Sequence, residues 1–361
     1  MQAAEVARRR LASQGLVDPS FASAAEVVEW LGAVQSQDYA GSQWALGQRM
    51  RSATAAGIEQ ALNDADIVRT HVLRPTWHFV SARDIRWMLA LSAPRVHAAN
   101  ASMYRKLGLD AALFRRSNAA IVDALAGGHE LTRNELAAVL RRARIDPGDG
   151  VRMSGLMMAA ELDGWICNGP RRGRQFTYAL LDERVPPTDP LSREQALREL
   201  AWRYFRSRGP ATVHDFAWWS GLTVADAKKG VEMLAGELAQ ATVDGRVHWF
   251  AESAAPAGSR ASVAHLLPNY DEFVVGFRDR GAVLQAIRSL ASPSPFDPLF
   301  AHVIEVGGQL VGGWRRELAR DAVRVELTLV AAVSASQRRA VSAAARRYAS
   351  FLGLALEETS R

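Results

Sequence analysis

The chain reads as an α+β protein: tandem winged helix-turn-helix domains followed by a β-rich C-terminal domain. Three observations predict this. Helix signals closed by a hairpin signal recur along the first two thirds of the sequence. Capping boxes mark where many of those helices begin. Past Glu252 the helical period gives way to strand-like runs.

The stretch from Leu191 to Phe250 is the clearest copy of the module. Ser192 and Gln195 form a capping box that opens a helix, and Leu197, Leu200, Ala201, Tyr204 and Phe205 share one of its faces. Gly209-Pro210 stops it. A short helix follows from Thr212 through His214, Phe216 and Trp219, and Gly221 makes the turn. Thr223 and Asp226 cap a third helix carrying Val231, Leu234 and Leu238. Asp244-Gly245 is a strong hairpin signal between two short strands.

The order repeats between Arg115 and Leu181. Ile121, Ala124 and Leu125 mark the first helix, and Thr132 with Glu135 caps the second. Met153, Leu156, Met157 and Ala160 mark the third. Trp165–Cys167 and Phe176–Tyr178 read as strands, joined by a basic wing tip that holds Arg171, Arg172 and Arg174. A third copy occupies the N-terminus, with helices at Ala3–Gln14, Ala24–Val34 and Thr54–Asn63. Its hairpin pairs Ile67–Leu73 with Trp77–Val80. A helical stretch from Ala82 to Leu107 bridges the first two copies, and Pro94 is placed to kink it.

The C-terminal part opens with an Ala/Pro/Gly/Ser linker over 253–262. Strands are predicted at Val263–Leu267, Phe273–Phe277, His302–Val306, Gln309–Trp314 and Val323–Val330, and a helix at Ser336–Leu352. Gly307-Gly308 is a turn. The expected form is a small curved sheet or partial barrel. The domains are therefore 1–81 (first winged helix), 82–114 (bridging helices), 115–185 (second), 186–252 (third) and 253–361 (C-terminal α+β).

Composition narrows the function classes. The 361 residues are 48% hydrophobic and 23% charged, as in ordinary globular proteins. The net charge of +6 favours a polyanionic partner. Lys106, Lys228 and Lys229 are the only lysines, so arginine carries the basic charge; its planar fork suits phosphate and guanine edges. A GC-rich genome accounts for the same bias. Cys167 is the only cysteine, which excludes an intrachain disulfide and a cysteine-based zinc site and makes the cytoplasm the default compartment. No run approaches the ~20 apolar residues of a membrane span, and the N-terminus does not read as a signal peptide. Phosphate-binding glycine loops and the HExxH metal motif are absent.

Gln35-Ser36-Gln37 is the most informative triplet. Val27, Trp30, Leu31 and Val34 form the buried stripe of the preceding helix. In a continuing helix of ~3.6 residues per turn, Gln35 and Gln37 point to opposite sides. In extended backbone they share one side. A joint role therefore requires the helix to end at the first glutamine, and Gly41 fits a chain that has already left it. A carboxamide does not titrate, so it cannot deprotonate water. It can orient one. That is sufficient when the leaving group is a purine made cationic by alkylation at N7 or N3, because cleaving its glycosidic bond neutralises the charge. Proximity and orientation then supply much of the acceleration. Asp38 is placed either to stabilise a cationic sugar or simply to make a turn.

Six segments together resemble the AlkZ/YcaQ-like winged-helix DNA glycosylases. They are Ala33–Gln37, Ser42–Leu46, Thr70–Val80, Gly209–Leu222, Leu266–Phe273 and Gly312–Arg316. The resemblance implies a fold bent into a C around a basic channel. It implies a monofunctional glycosylase for N-alkylpurines, with interstrand crosslinks as a further substrate class, and no metal or cofactor. Its glutamine motif is Gln-x-Gln in the AlkZ branch and Gln-x-Asp in the YcaQ branch, so Gln35 and Gln37 carry over as the catalytic pair of the former. The implied partner is duplex DNA with alkylated or crosslinked purines, met by a monomer in the nucleoid.

Around this pair, Arg74 and His78 of the first wing are candidates for DNA contact, as are Arg171, Arg172, Arg174, Arg315 and Arg316. Trp77 and Phe79 alternate on a strand face that reads as core, and Trp218 and Trp219 read mainly as core. Asp271 is placed to hold the glutamine region by hydrogen bonds or to end a strand. The histidines do not cluster at ligand spacing. The alternative reading is a non-catalytic winged-helix regulator or architectural protein, which would dimerise on a two-fold operator. A further alternative is a self-resistance glycosylase for a dedicated natural-product adduct.

Overall fold

The computed structural model describes residues 1–252, 263–287 and 301–360. The linker expected over 253–262 lies outside them. Helix α1 (Ala3–Ser13) does not open the first module, as the sequence predicts, but lies against the third. Arg10 Nε donates to the Pro210 carbonyl at 2.9 Å and Ser13 Oγ to that of Gly209 at 3.1 Å.

The first unit is built from α2 (Ala24–Leu31), β1 (Val34–Gln35), α3 (Tyr39–Gly47), α4 (Ala55–Asn63), β2 (Ile67–His71) and β3 (Trp77–Ser81). Its sheet order is β1-β3-β2, all antiparallel. α3 was not expected. Gly41 to Leu46 are all buried, so the helix carries no polar face and no amphipathic period to read. Gly41 sits inside this new helix, in a chain that has left α2 at Leu31, as its reading required.

After the bridging helix α5 (Ile85–Lys106), with Pro94 inside it, the order recurs. The second unit is α6 (Ala111–Leu125), β4 (Leu131–Thr132), α7 (Arg133–Arg142), α8 (Gly150–Leu162), β5 (Ile166–Asn168) and β6 (Thr177–Leu180), with sheet order β4-β6-β5. A short helix α9 (Leu181–Arg184) leads to the third unit. That unit is α10 (Arg193–Arg208), α11 (Val213–Ser220), α12 (Val224–Glu232), β7 (Ala239–Val243) and β8 (Arg246–Phe250). A single bridge from Ala211 to Trp249 takes the place of its first strand. The capping boxes at Thr132, Ser192 and Thr223 form as the sequence predicts.

The C-terminal part holds β9 (Ala264–Leu267), α13 (Glu272–Val275), β10 (Val303–Val306), β11 (Gln309–Leu318), β12 (Ala322–Leu329), α14 (Ala335–Leu352) and β13 (Ala355–Ser360). The strands form one open sheet, β13-β12-β11-β10-β9, rather than a partial barrel. Only β12 and β13 run parallel. The run at 273–277 is not a strand; Asp271 caps a turn of helix there by accepting from Phe273 N at 2.9 Å. The sheet and the first unit share one core, in which Val27, Val28 and Trp44 meet Leu266, Ile304 and Val325. Trp44 Nε1 donates to the Leu266 carbonyl at 2.7 Å.

Candidate functional site

The helix before the glutamines ends at Leu31, earlier than its apolar stripe suggests. Gly32 adopts φ +78, a conformation that glycine enters without a Cβ penalty. Arg208 completes the ending from α10. Its buried guanidinium donates to the carbonyls of Leu31 at 2.6 Å and Ala33 at 3.0 Å, satisfying acceptors that a helix end leaves open. The chain then enters β1, with Val34 opposite Phe79 and Gln35 opposite His78. The backbone is therefore extended at the first glutamine.

Glu272 holds this strand from the C-terminal part. Gln35 N donates to its Oε1 at 2.9 Å. Its Oε2 accepts from Arg208 at 2.7 Å and from Trp219 Nε1 at 2.9 Å. Both charged side chains are fully buried, and Arg208 also lies over the Trp219 ring at 4.3 Å. Burial without partners would be prohibitive; here every carboxylate oxygen is used. Asp271, the residue singled out in the sequence, instead binds Arg49 through two contacts of 2.9 and 3.0 Å. Glu272 was missed. Its signal was an acid at the head of the apolar run Phe273-Val274-Val275, where a buried charge needs a partner.

Arg74 fixes the Gln35 side chain. Its Nη2 donates to Gln35 Oε1 at 2.8 Å. Arginine only donates, so the atom facing it must be the oxygen, and the NH2 end of Gln35 is the one left to a ligand. Burial pushes the Arg74 pKa down, while the Glu272 carboxylate acts the other way. Gln35 is 5% exposed and lines a cleft together with Arg74, Trp218, Asn269 and Tyr270. No carboxylate stands among the described lining residues of this cleft. Gln37 lies outside this lining, is exposed, and makes no hydrogen bond to another described residue.

The loop between the glutamines is held from below. Ser36 N donates to the Trp77 carbonyl at 2.8 Å, and the Ser36 carbonyl accepts from Arg69 at 3.2 Å. Arg69 lies 4.4 Å from the Trp77 ring and 4.5 Å from that of Phe176, and burial lowers its pKa to about 10. Asp38 caps α3 by accepting from Gly41 N at 3.1 Å and pairs with Arg316 at 3.4 Å. A Cβ at Gly41 would lie 2.5 Å from Asp38 Oδ2, which explains the glycine.

The expected DNA contacts divide by what they touch. His78 is 0% exposed and sits within hydrogen-bond distance of the Thr76 carbonyl, so it is a core residue rather than a DNA contact. Burial, then Arg74, hold its pKa well below 6.5. Arg74 is committed to Gln35. Arg171 pairs with Glu59 at 3.1 Å and lies 4.8 Å from the Tyr39 ring, fastening the second wing to the first unit. Arg172 is exposed and pairs with Glu135 at 2.9 Å. Arg316 reaches Tyr348 and Asp38. Arg174 and Arg315 are exposed and make no side-chain contact to a described acid.

Known proteins match this arrangement over nearly its whole length. A protein from Streptomyces sahachiroi described as an interstrand DNA cross-link repair glycosylase is 23% identical over 330 residues, covering 84% of this chain and 85% of its own. The solved structure of the Streptomyces sahachiroi DNA glycosylase AlkZ superposes with a TM-score of 0.78 at 21% identity, covering 99% of this chain and 100% of that one. The family model for AlkZ-like DNA glycosylases matches residues 28–351, from within α2 to the end of α14, and the chain belongs to that family.

Proposed function

We propose that this DNA glycosylase hydrolyses the N-glycosidic bond of N7- or N3-alkylpurines in duplex DNA, with Gln35 and Gln37 at the reacting nucleotide. The observation that carries the reading is the oriented carboxamide. Gln35 stands on a strand anchored by Glu272, with its oxygen tied to Arg74 and its NH2 free, on a cleft whose described lining has no carboxylate. The described lining of the Gln35 cleft offers no general base. It suits a leaving group that is already cationic.

The two amides then divide the work. The Gln35 NH2 donates to an oxygen of the deoxyribose or its phosphate, fixing the sugar. The unengaged carboxamide of Gln37 accepts a hydrogen bond from a water and aims its lone pair at the anomeric carbon. The glycosidic electrons leave with the purine, the water oxygen bonds to the sugar, and the released proton passes to solvent. Arg172, Arg174 and Arg315 are exposed and suited to phosphates along the duplex. The Streptomyces relative is named for cross-link repair, and interstrand crosslinks through an alkylated purine are a further substrate of this proposal.

Release of N7-methylguanine from alkylated duplex DNA tests it. Gln35→Ala/Gln37→Ala protein is expected to be slower by about 100-fold or more. Release at the wild-type rate would remove both glutamines from the mechanism. A regulator reading gives no role to an amide held by an arginine.

A further inference from the structure

We propose that Trp218 and Tyr270, on the wall of the Gln35 cleft, stack on a flat ring of the damaged nucleotide, while Arg278 and Arg280 on the same cleft meet the phosphate beside it. This rests on the glycosylase reading above and assigns that site a binding wall. The cleft measures about 650 Å³ and contains all four residues besides Gln35 and Arg74. That is room for a drug-sized ligand rather than for a methyl group.

Large apolar side chains are seldom left open among the described residues, yet two of them line this cleft: Trp218 is 46% and Tyr270 38% exposed. Neither is loosely placed. The Trp218 indole N–H donates to the Val275 carbonyl at 3.3 Å. Tyr270 takes φ +64, a strained conformation for a bulky residue, and the next residue, Asp271, is locked by Arg49. Strain held in place at a cleft beside an oriented amide marks a binding wall better than it marks packing.

The arginines complete the pattern. Arg193, Arg198, Arg246 and Arg324, outside this cleft's lining, are paired with acids, whereas Arg278 and Arg280, like Arg174 and Arg315, are not paired with a described one. Among the described residues, the exposed Arg278 side chain makes no acid contact and the Arg280 side chain donates only to the Val274 carbonyl, at 3.1 Å. Aromatic faces next to unneutralised guanidinium groups match a nucleotide: a π-system attached to a phosphate. The ring has two sources, the alkylated purine itself or an aromatic group carried by the adduct.

Two duplexes separate these sources, one with N7-methylguanine and one with N7-benzylguanine. Affinity is measured by fluorescence anisotropy and base release separately. Trp218→Ala and Tyr270→Gly are expected to weaken binding about tenfold. The glycine accepts the φ of Tyr270, so lost stability does not confuse the result, and Trp218→Phe is expected to restore most of the affinity. Weakening on both duplexes identifies the purine as the ring; weakening on the benzyl duplex alone identifies the adduct. Unchanged affinity on both overturns the stacking. Arg278→Gln is expected to reduce the slope of log affinity against log salt by about 1, and an unchanged slope removes the phosphate contact. Wild-type protein that binds but releases neither base would instead sink the glycosylase reading, with the stacking still decided by the affinities.

Discussion

The first and second units differ most at the junction between first strand and second helix. In the second unit, Thr132 ends β4 and at once caps α7, and Glu135 closes the reciprocal box. The third unit does the same, with Ala211 bridged to Trp249 and Thr212 capping α11 through Asp215. In the first unit, Ser36 and Gln37 intervene between β1 and the cap at Asp38, and Gly41 leaves the cap one-sided. Two residues are thus added where the other copies run directly from strand to helix. The regular junctions stabilise their own unit; the lengthened one turns a carboxamide outward and leans on other units for support. Arg69 of the first unit's own β2, stacked on Phe176 of the second unit, carries the added residues from below, and Arg208 and Glu272 carry the strand before them.

This contrast can be broken at several points. The largest effect is expected at Glu272. Glu272→Ala leaves Arg208 buried and unpaired and is expected to cost about 3–5 kcal/mol in urea denaturation. A loss below about 1 kcal/mol would mean that the first strand stands without its outside anchor.

Arg74→Met comes next. It removes a charge-assisted hydrogen bond worth about 1.5–3 kcal/mol and frees Gln35 to rotate, so kcat for base release is expected to fall at least about tenfold with little change in KM. An unchanged kcat would show that the amide needs no holding.

His78 sharpens the comparison through pH. Its folded pKa is depressed by burial and then by Arg74, so below about 6.5 the unfolded chain takes up a proton that the folded one refuses. The stability it lends is full above that pH and is lost as pH falls, with a slope of up to about 1.4 kcal/mol per unit. Denaturation curves of wild type and His78→Phe at pH 7.5 and 5.5 measure it. Equal pH dependence in both would place the titration elsewhere.

The smallest effect belongs to the regular junction. Thr132→Ala is expected to cost about 1 kcal/mol, the ordinary worth of a cap, and to leave base release unchanged. A marked loss of activity would mean that the second unit shapes the site more directly than its self-contained junction suggests.

Much of this was legible in the sequence because it is local. Capping boxes, the Asp244-Gly245 hairpin and the stripe of α10 depend on neighbours along the chain, and they formed where the residues predict. The break before Gln35 was legible as a requirement but not in its place, since Arg208 supplies the ending from 175 residues away. α3 was invisible because buried sides surround it. The run Phe273–Phe277 has strand composition, and the cap and ion pair of Asp271 and Glu272 override it. The inward turn of Arg171 and the burial of His78 likewise depend on partners that no spacing reveals: Glu59 and Tyr39 for one, the covering first strand for the other.

Asp271 and Glu272 are consecutive, yet one grips Arg49 of the first winged helix and the other grips Arg208 of the third. A single dipeptide is thereby the keystone of an arch whose two sides are different modules. Exchanging one winged helix for a foreign copy that lacked the matching arginine would strand a charge at that stone, so these modules, though built alike, are fitted to one another.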